Sequence, residues 1–313
     1  MSKCSLFYIV AVKVQLGFNV FELGVVTLHF YNFAHFYCPR QRFAKFAKVW
    51  YNILVMLKLT PLFSGSRGNC TLIQSQNTNI LLDVGYSYKK ILTALEGKNL
   101  KPQDIHAIVI THEHDDHICA LPMWTKFAPT TQIFVPNPIV NCIANRSYSP
   151  FVNGVSGSFV VGDVDVDVYQ CSHDSQACCG YRFSADGESI ASITDTGCYT
   201  DDIVAFLSPC KVVQLECNHD VTMLRQGRYP YPLKRRIASP FGHLSNDQCA
   251  EILQKLIGTS VKKVVLAHLS ENNNTAELAF DTVNKMYQRN NVIEGKDVQL
   301  YVANQHTVGE TID

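Results

Sequence analysis

The stretch Thr111-His-Glu-His-Asp-Asp-His117 decides how this chain folds and what it does. It follows the apolar run from His106 to Thr111, which reads as a buried strand, and it packs three His and an Asp in H-x-H-x-D-H spacing into a short loop. A surface loop has no packing need for so many imidazoles. A tight turn lets His112 and His114 point the same way while Asp116 and His117 swing toward a neighbouring position, so one segment can serve two cations. Imidazole and carboxylate donors suit Zn²⁺ or Mn²⁺, with Fe²⁺ a weaker fit.

Outward from that loop the same arrangement recurs. A strand from Val164 to Cys171 runs into His173, one from Ser189 to Thr194 into Asp195, one from Val212 to Leu215 into Glu216 and His219, and one from Val261 to Ala267 into His268. Five strands thus each release a metal-capable or acid/base side chain at the carboxyl end, where α/β sheets place their ligand sites. A lone His173 or His268 would be an ordinary hydrogen-bonded histidine; beside the loop each gains weight. Further strands are predicted from Leu57 to Phe63, Cys70 to Ser75 and Ile80 to Asp83. Helices are predicted from Tyr88 to Glu96, Ile118 to Phe127, Asn246 to Ile257 and Thr275 to Arg289. Strands interleaved with helices imply a layered α/β domain.

Composition narrows the class. The 313 residues are 47% hydrophobic and 17% charged, a globular balance, and the formal net charge of zero leaves no global field to attract nucleic acid. Any such attraction must come from a local patch. Twelve scattered cysteines without a C-x-x-C pair suit a reducing, cytoplasmic setting, where thiols such as Cys142 and Cys210 act as small buried hydrophobes. Residues 1–55 are rich in Phe, Tyr and Val but are interrupted by Lys13, Glu22, His29, His35 and Arg40, so no stable membrane span is expected there. They read as an N-terminal extension, and residues 56–313 as the catalytic domain.

Thr111 to His117, Ser172-His-Asp174, Thr194-Asp-Thr-Gly197 and Ala267-His-Leu-Ser270 together resemble the ordered motifs of the metallo-β-lactamase superfamily. Ser64 to Cys70, Glu216 to Asp220, Gly227 to Ile237 and Gly242 to Asn246 further resemble the bacterial YycJ/WalJ group, regarded as 5′-to-3′ exonucleases on double-stranded DNA linked to mismatch repair. The resemblance implies a four-layer αββα sandwich. It implies that His112, His114 and His173 hold one metal, that Asp116, His117 and His268 hold a second, and that Asp195 bridges them, with Asp116 needed for catalysis. Two metals so placed can clamp the attacking and leaving oxygens of a phosphodiester. It also implies that Glu216 orients His243 to protonate the leaving oxygen, a role for which His219 is an equal candidate.

Two places could grip phosphate. Ser64, Ser66 and Asn69 could present hydroxyl and backbone donors from the Gly-rich turn. Arg225, Arg228, Lys234, Arg235 and Arg236, interleaved with Tyr229 and Tyr231, could follow a nucleic-acid backbone and stack on an unpaired end. Only about 70 residues separate Asp195 from His268, too few for the inserted domain of RNA-processing relatives, and the short span from His173 to Asp195 leaves no place for a tRNA-gripping arm. The leading expectation is therefore a DNA exonuclease. Hydrolysis of a small or cyclic phosphodiester is the competing one, and a binding module stapled by metal is a distant third, because structural zinc sites favour thiolates.

Overall fold

The computed structural model describes residues 57–313; the expected N-terminal extension lies outside them. Thirteen strands among these residues form two sheets. The first, of six strands, holds β1 (Lys58–Phe63), β2 (Cys70–Gln74), β3 (Asn79–Leu82), β4 (Ala107–Val109), β5 (Gln132–Pro136) and β6 (Val152–Val155) in chain order. The second is ordered β13-β12-β11-β10-β9-β8-β7 and holds β7 (Phe159–Val161), β8 (Val164–Cys171), β9 (Cys178–Ala185), β10 (Glu188–Ile193), β11 (Val212–Glu216), β12 (Lys263–Ala267) and β13 (Gln299–Val302).

The twofold alternation of strand side chains builds the layers. Ile80, Leu82, Ala107 and Val109 face inward and meet Val164, Val166, Val212, Val265 and Ala267 of the other sheet in one apolar core. Leu81 and Ile108 face outward and are covered by α1 (Tyr88–Glu96), α3 (Leu121–Phe127) and α4 (Val140–Arg146), through Ile91, Leu95, Trp124 and Ile143. Val213, Leu215, Val264 and Leu266 are covered on the opposite side by α5 (Asp201–Leu207), α8 (Asn246–Lys255) and α9 (Ala276–Arg289). The result is the helix–sheet–sheet–helix sandwich that the resemblance implied. One polar link crosses its middle: the buried amide of Gln214 donates to Thr71 Oγ1 at 3.1 Å and to Ser192 Oγ at 3.0 Å, so the inward-facing amide is satisfied.

Strand direction positions the site. β10, β11 and β12 are mutually parallel, and β8 runs the same way because both it and β10 pair antiparallel with β9. Their carboxyl ends therefore lie along one edge. In the other sheet β3, β4 and β5 are parallel as well.

Two expected elements are shorter than their sequence patterns. The run from His106 to Thr111 is strand only over Ala107–Val109, because the Thr111 N–H turns away to the Asp83 carboxylate at 2.8 Å. The helix expected from Ile118 to Phe127 is two pieces, α2 (Asp115–Ile118) and α3. Between them the Ala120 N–H docks on the Val84 carbonyl at 2.9 Å, and Pro122, which has no N–H to give, sits in the first turn of α3. Cys210 is buried as expected, whereas Cys142 lies half-buried on α4. Among the described residues no helix is long and apolar enough to cross a membrane.

Candidate metal centre and nuclease cleft

Seven side chains from four strand ends converge. His112, His114 and His173 each place one potential ligand atom within 4.8 Å of the others, and Asp116, His117 and His268 do the same. Asp195 stands with His112 and His117 in a third such group and links the two. Its Oδ2 lies 3.2 Å from His117 Nε2, and its Oδ1 lies 3.8 Å from His173 Nε2 and 3.5 Å from His268 Nε2. All seven residues that the resemblance named as ligands are thus gathered in one place.

The surroundings test whether divalent ions suit these residues. His112 Nε2, His268 Nε2 and Asp195 Oδ2 are buried and make no hydrogen bond, a costly state for polar atoms unless something else binds them. Burial, reinforced by His117, pushes the His112 imidazole well below its ordinary pKa, which keeps it a neutral donor. Burial opposes the charge on Asp195, yet the nearby His268 and His117 outweigh it and hold that carboxyl well below the usual range. A neutral His112 and an ionised Asp195, with orphaned atoms facing one another, fit divalent metal ions.

The backbone at these positions is specialised. Asp195 and His268 have left-handed φ of 60° and 56°, and Asp83, at the end of β3, has 59°. Such angles are uncommon outside glycine, and each turns a side chain into the centre as its strand ends. Gly85 permits the metal loop to sit against β3: a Cβ there would come 1.6 Å from the Asp116 carbonyl oxygen. β9 braces the same loop, with Tyr181 OH donating to the Ile110 carbonyl at 2.8 Å and the Cys179 N–H to the Thr111 carbonyl at 3.1 Å. Glu113 ties it to the His173 loop by accepting the Gln176 N–H at 2.8 Å.

Asp83 is the functional residue that motif reading passes over. Its buried carboxylate accepts from Thr111 N at 2.8 Å and Thr111 Oγ1 at 2.9 Å, and lies 2.7 Å from His117 Nδ1. The signal was present: the apolar run Ile80 to Leu82 releases an acid at its end, as the other five strands release a His, Asp or Glu. Asn218 is a second such residue, lining the cleft and donating to the His268 carbonyl at 2.9 Å.

Glu216 is wholly buried. Its Oε1 lies 2.8 Å from His243 Nδ1 and 3.0 Å from His268 Nδ1, and its Oε2 accepts from Thr196 N at 3.0 Å and Leu244 N at 3.2 Å. Burial opposes its ionisation, but His243 and His268 bring its pKa down to about 2. His243 lines the cleft above the cluster, whereas His219, the other candidate acid, does not. Burial lowers His219 to about 4 and its Nδ1 is unpartnered, so His219 is set apart from the cleft that His243 faces.

The cleft measures about 390 Å³ and is walled on one side by Tyr229, Leu233, Arg236 and Ile237 from around α7 (Tyr231–Ile237), which follows α6 (Val221–Gln226). Of the residues expected to grip phosphate, Ser66 and Arg236 line it. Ser64 and Asn69 do not present their side chains: Ser64 Oγ is buried and accepts the His268 N–H at 2.8 Å, and Asn69 is spent on Gly65, the Asp116 carbonyl and His117. Arg236 forms a two-pronged pair with Asp174, beside His173. Lys234 donates to the Arg225 carbonyl at 2.8 Å, and the side chains of Arg225, Arg228 and Arg235 project from the exposed surface beside it.

Comparison with known proteins gives these residues a context. The β-lactamase superfamily domain family matches residues 78–269. The exodeoxyribonuclease WalJ of Streptococcus pneumoniae is 35% identical over 252 residues, covering 78% of this chain and 93% of WalJ. The exodeoxyribonuclease YycJ of Bacillus anthracis is 31% identical over 249 residues, covering 78% of this chain and 94% of YycJ. Among solved structures, the metallo-β-lactamase fold protein YhfI of Bacillus subtilis aligns with a TM-score of 0.64 at 16% identity, covering 82% of this chain and 100% of YhfI, a likeness of fold alone.

Proposed function

This chain belongs to the metallo-β-lactamase superfamily and, within it, to the WalJ/YycJ group, and on that premise we propose that it is a metal-dependent exonuclease that shortens duplex DNA from the 5′ end. The observation that carries the reading is the convergence of His112, His114, Asp116, His117, His173, Asp195 and His268 beneath a cleft that also holds a carboxylate-tethered imidazole. Two ions, Zn²⁺ or Mn²⁺, suit the donor set and would supply the Lewis acidity that activates water and steadies charge on a phosphodiester.

The chain's own groups do the rest. Glu216 fixes the His243 ring through Nδ1, leaving Nε2 as the nitrogen that hands a proton to the departing sugar oxygen. The same carboxylate holds His268, so one buried group sets the acid and one prospective ligand in register. Asp83 does the equivalent for His117. Arg236, steadied by Asp174, is placed to meet a backbone phosphate as it enters, and Ser66 to hydrogen-bond it. A cytoplasmic setting, with DNA-end processing in repair as the role, fits the ten described cysteines, which are all free thiols.

The deciding assay sets duplex DNA labelled at either 5′ or 3′ end beside single-stranded DNA, RNA and bis-p-nitrophenyl phosphate, with Mn²⁺ or Zn²⁺ supplied. Stepwise loss from the 5′ end of the duplex, abolished by Asp116→Ala, is the expected result. Turnover of the small ester alone, or activity indifferent to that substitution, would remove the proposal.

A further inference from the structure

The short segment Ser239-Pro-Phe-Gly242 joins the cleft-lining Ile237 to the cleft-lining His243 and touches Ser172, which lines a second groove of about 360 Å³ with Tyr169, Thr196 and Tyr199 among others. The segment is firmly fastened. Ser172 Oγ donates to the Pro240 carbonyl at 2.8 Å, and the Asp174 N–H to the Phe241 carbonyl at 3.0 Å. The Gly242 carbonyl lies 3.0 Å from His173 Nδ1. Gly197 is packed so tightly beneath it that a Cβ would come within 2.4 Å of both Gly242 N and the Ser239 carbonyl oxygen. On a backbone held this firmly, Phe241 leaves 60% of its surface in solvent, two residues before the cleft-lining His243. A ring so exposed contributes little to folding, and the exposed Arg228 and Arg235 and the cleft-lining Arg236 lie nearby in sequence to meet phosphates.

The cleft, about 390 Å³, is at the lower end of the size range of small-ligand pockets. A single strand reaches the cleft-lining His243 more readily than a paired end does, so parting the cut strand from its complement would help its phosphodiester to the site. We infer that Phe241 is a wedge that opens the terminal base pair, its ring stacking on the last paired base while the cut strand turns into the cleft; the inference rests on the exonuclease reading above. Stacking compensates for the pairing that is lost, as in enzymes that extrude a base before acting on it.

The test uses the full chain with Mn²⁺ and end-labelled duplexes that differ only in their last three positions, paired in one and mismatched in the other, beside the single strand. Phe241→Ala should lower the rate on the paired end relative to the frayed end by roughly five- to a hundredfold, the range expected for one lost base–aromatic stack, and Phe241→Trp should restore the ratio. An Ala variant whose rates fall equally on all substrates, or whose ratio is unchanged, overturns the wedge and leaves the nuclease standing. A wild-type chain that cuts no DNA end overturns both.

Discussion

Asp83 Oδ2 lies 2.7 Å from His117 Nδ1, and both side chains are buried. That contact fixes the ring so that Nε2 faces the metal centre, where it stands 3.6 Å from Asp116 Oδ2. Burial opposes charge on His117, but Asp195, Asp83 and Asp116 outweigh it and raise its pKa well above the ordinary histidine value. Ion binding must displace that proton. Asp83→Asn keeps the shape and removes the charge, and should weaken metal affinity roughly ten- to a hundredfold. Competition against a chromophoric chelator measures this directly; unchanged affinity would deny Asp83 its orienting part.

His243→Ala should reduce kcat by roughly a hundred- to ten-thousandfold, the usual contribution of a positioned acid, with KM for DNA little altered. Glu216→Gln should reduce kcat as well, and should also loosen metal binding, since Glu216 touches His268. A phosphodiester with a p-nitrophenolate leaving group needs no proton, so the His243→Ala deficit should shrink on that substrate. An equal deficit on both would show that His243 is not the acid.

Metal removal should cost stability as well as activity. A chelator leaves His112 Nε2, His268 Nε2 and Asp195 Oδ2 buried without partners. With free metal about a thousandfold above Kd, bound ions stabilise by roughly 4 kcal/mol each, about 10 °C in Tm for a domain of this size. Calorimetry with EDTA and after restoring Mn²⁺ should show that difference, reduced in Asp116→Ala. A Tm insensitive to both would mean that the cluster binds no ion.

Arg236→Ala should raise KM for DNA and lessen the dependence of binding on salt by about one charge, whereas Arg228→Ala should do neither to the same degree. Binding titrations at several salt concentrations separate the two. Equal effects would make the whole basic stretch a diffuse attractor with no specific grip in the cleft.

His219 gives a pH signature away from the metal ligands. Burial brings it down from 6.5 to about 4, against the pull of Glu216. Because the folded chain holds it neutral, its contribution to stability is complete above about pH 6.5 and is lost as pH falls through 4, at most roughly 3 kcal/mol. His219→Gln should flatten that part of the stability profile in denaturant unfolding from pH 7 to 4. A variant as acid-sensitive as the parent would locate the effect elsewhere.

The parts of this architecture that local sequence dictates were legible in the sequence. Tyr88–Glu96 and Val164–Cys171 match their predicted limits, and Val212–Glu216 runs one residue past its own, because each carries an unbroken helical or strand pattern. β9 was missed: Cys179, Tyr181 and Phe183 face the core between the sheets, but the other face opens with a buried Cys178 and Gly180 before the Arg182–Asp167 pair, so its polar side is weakly marked. The convergence of the His and Asp side chains was legible through motif order. A turn that braces a site and a turn that binds phosphate share the same residue types, and only burial, as at Ser64 and Asn69, tells them apart.

The donors of the metal centre come from strand ends spread between His112 and His268, with β12 supplying the last. A nascent chain carries the H-x-H-x-D-H loop long before His268 and the His243–Glu216 pair can dock against it, so a partly made polypeptide has an incomplete donor set.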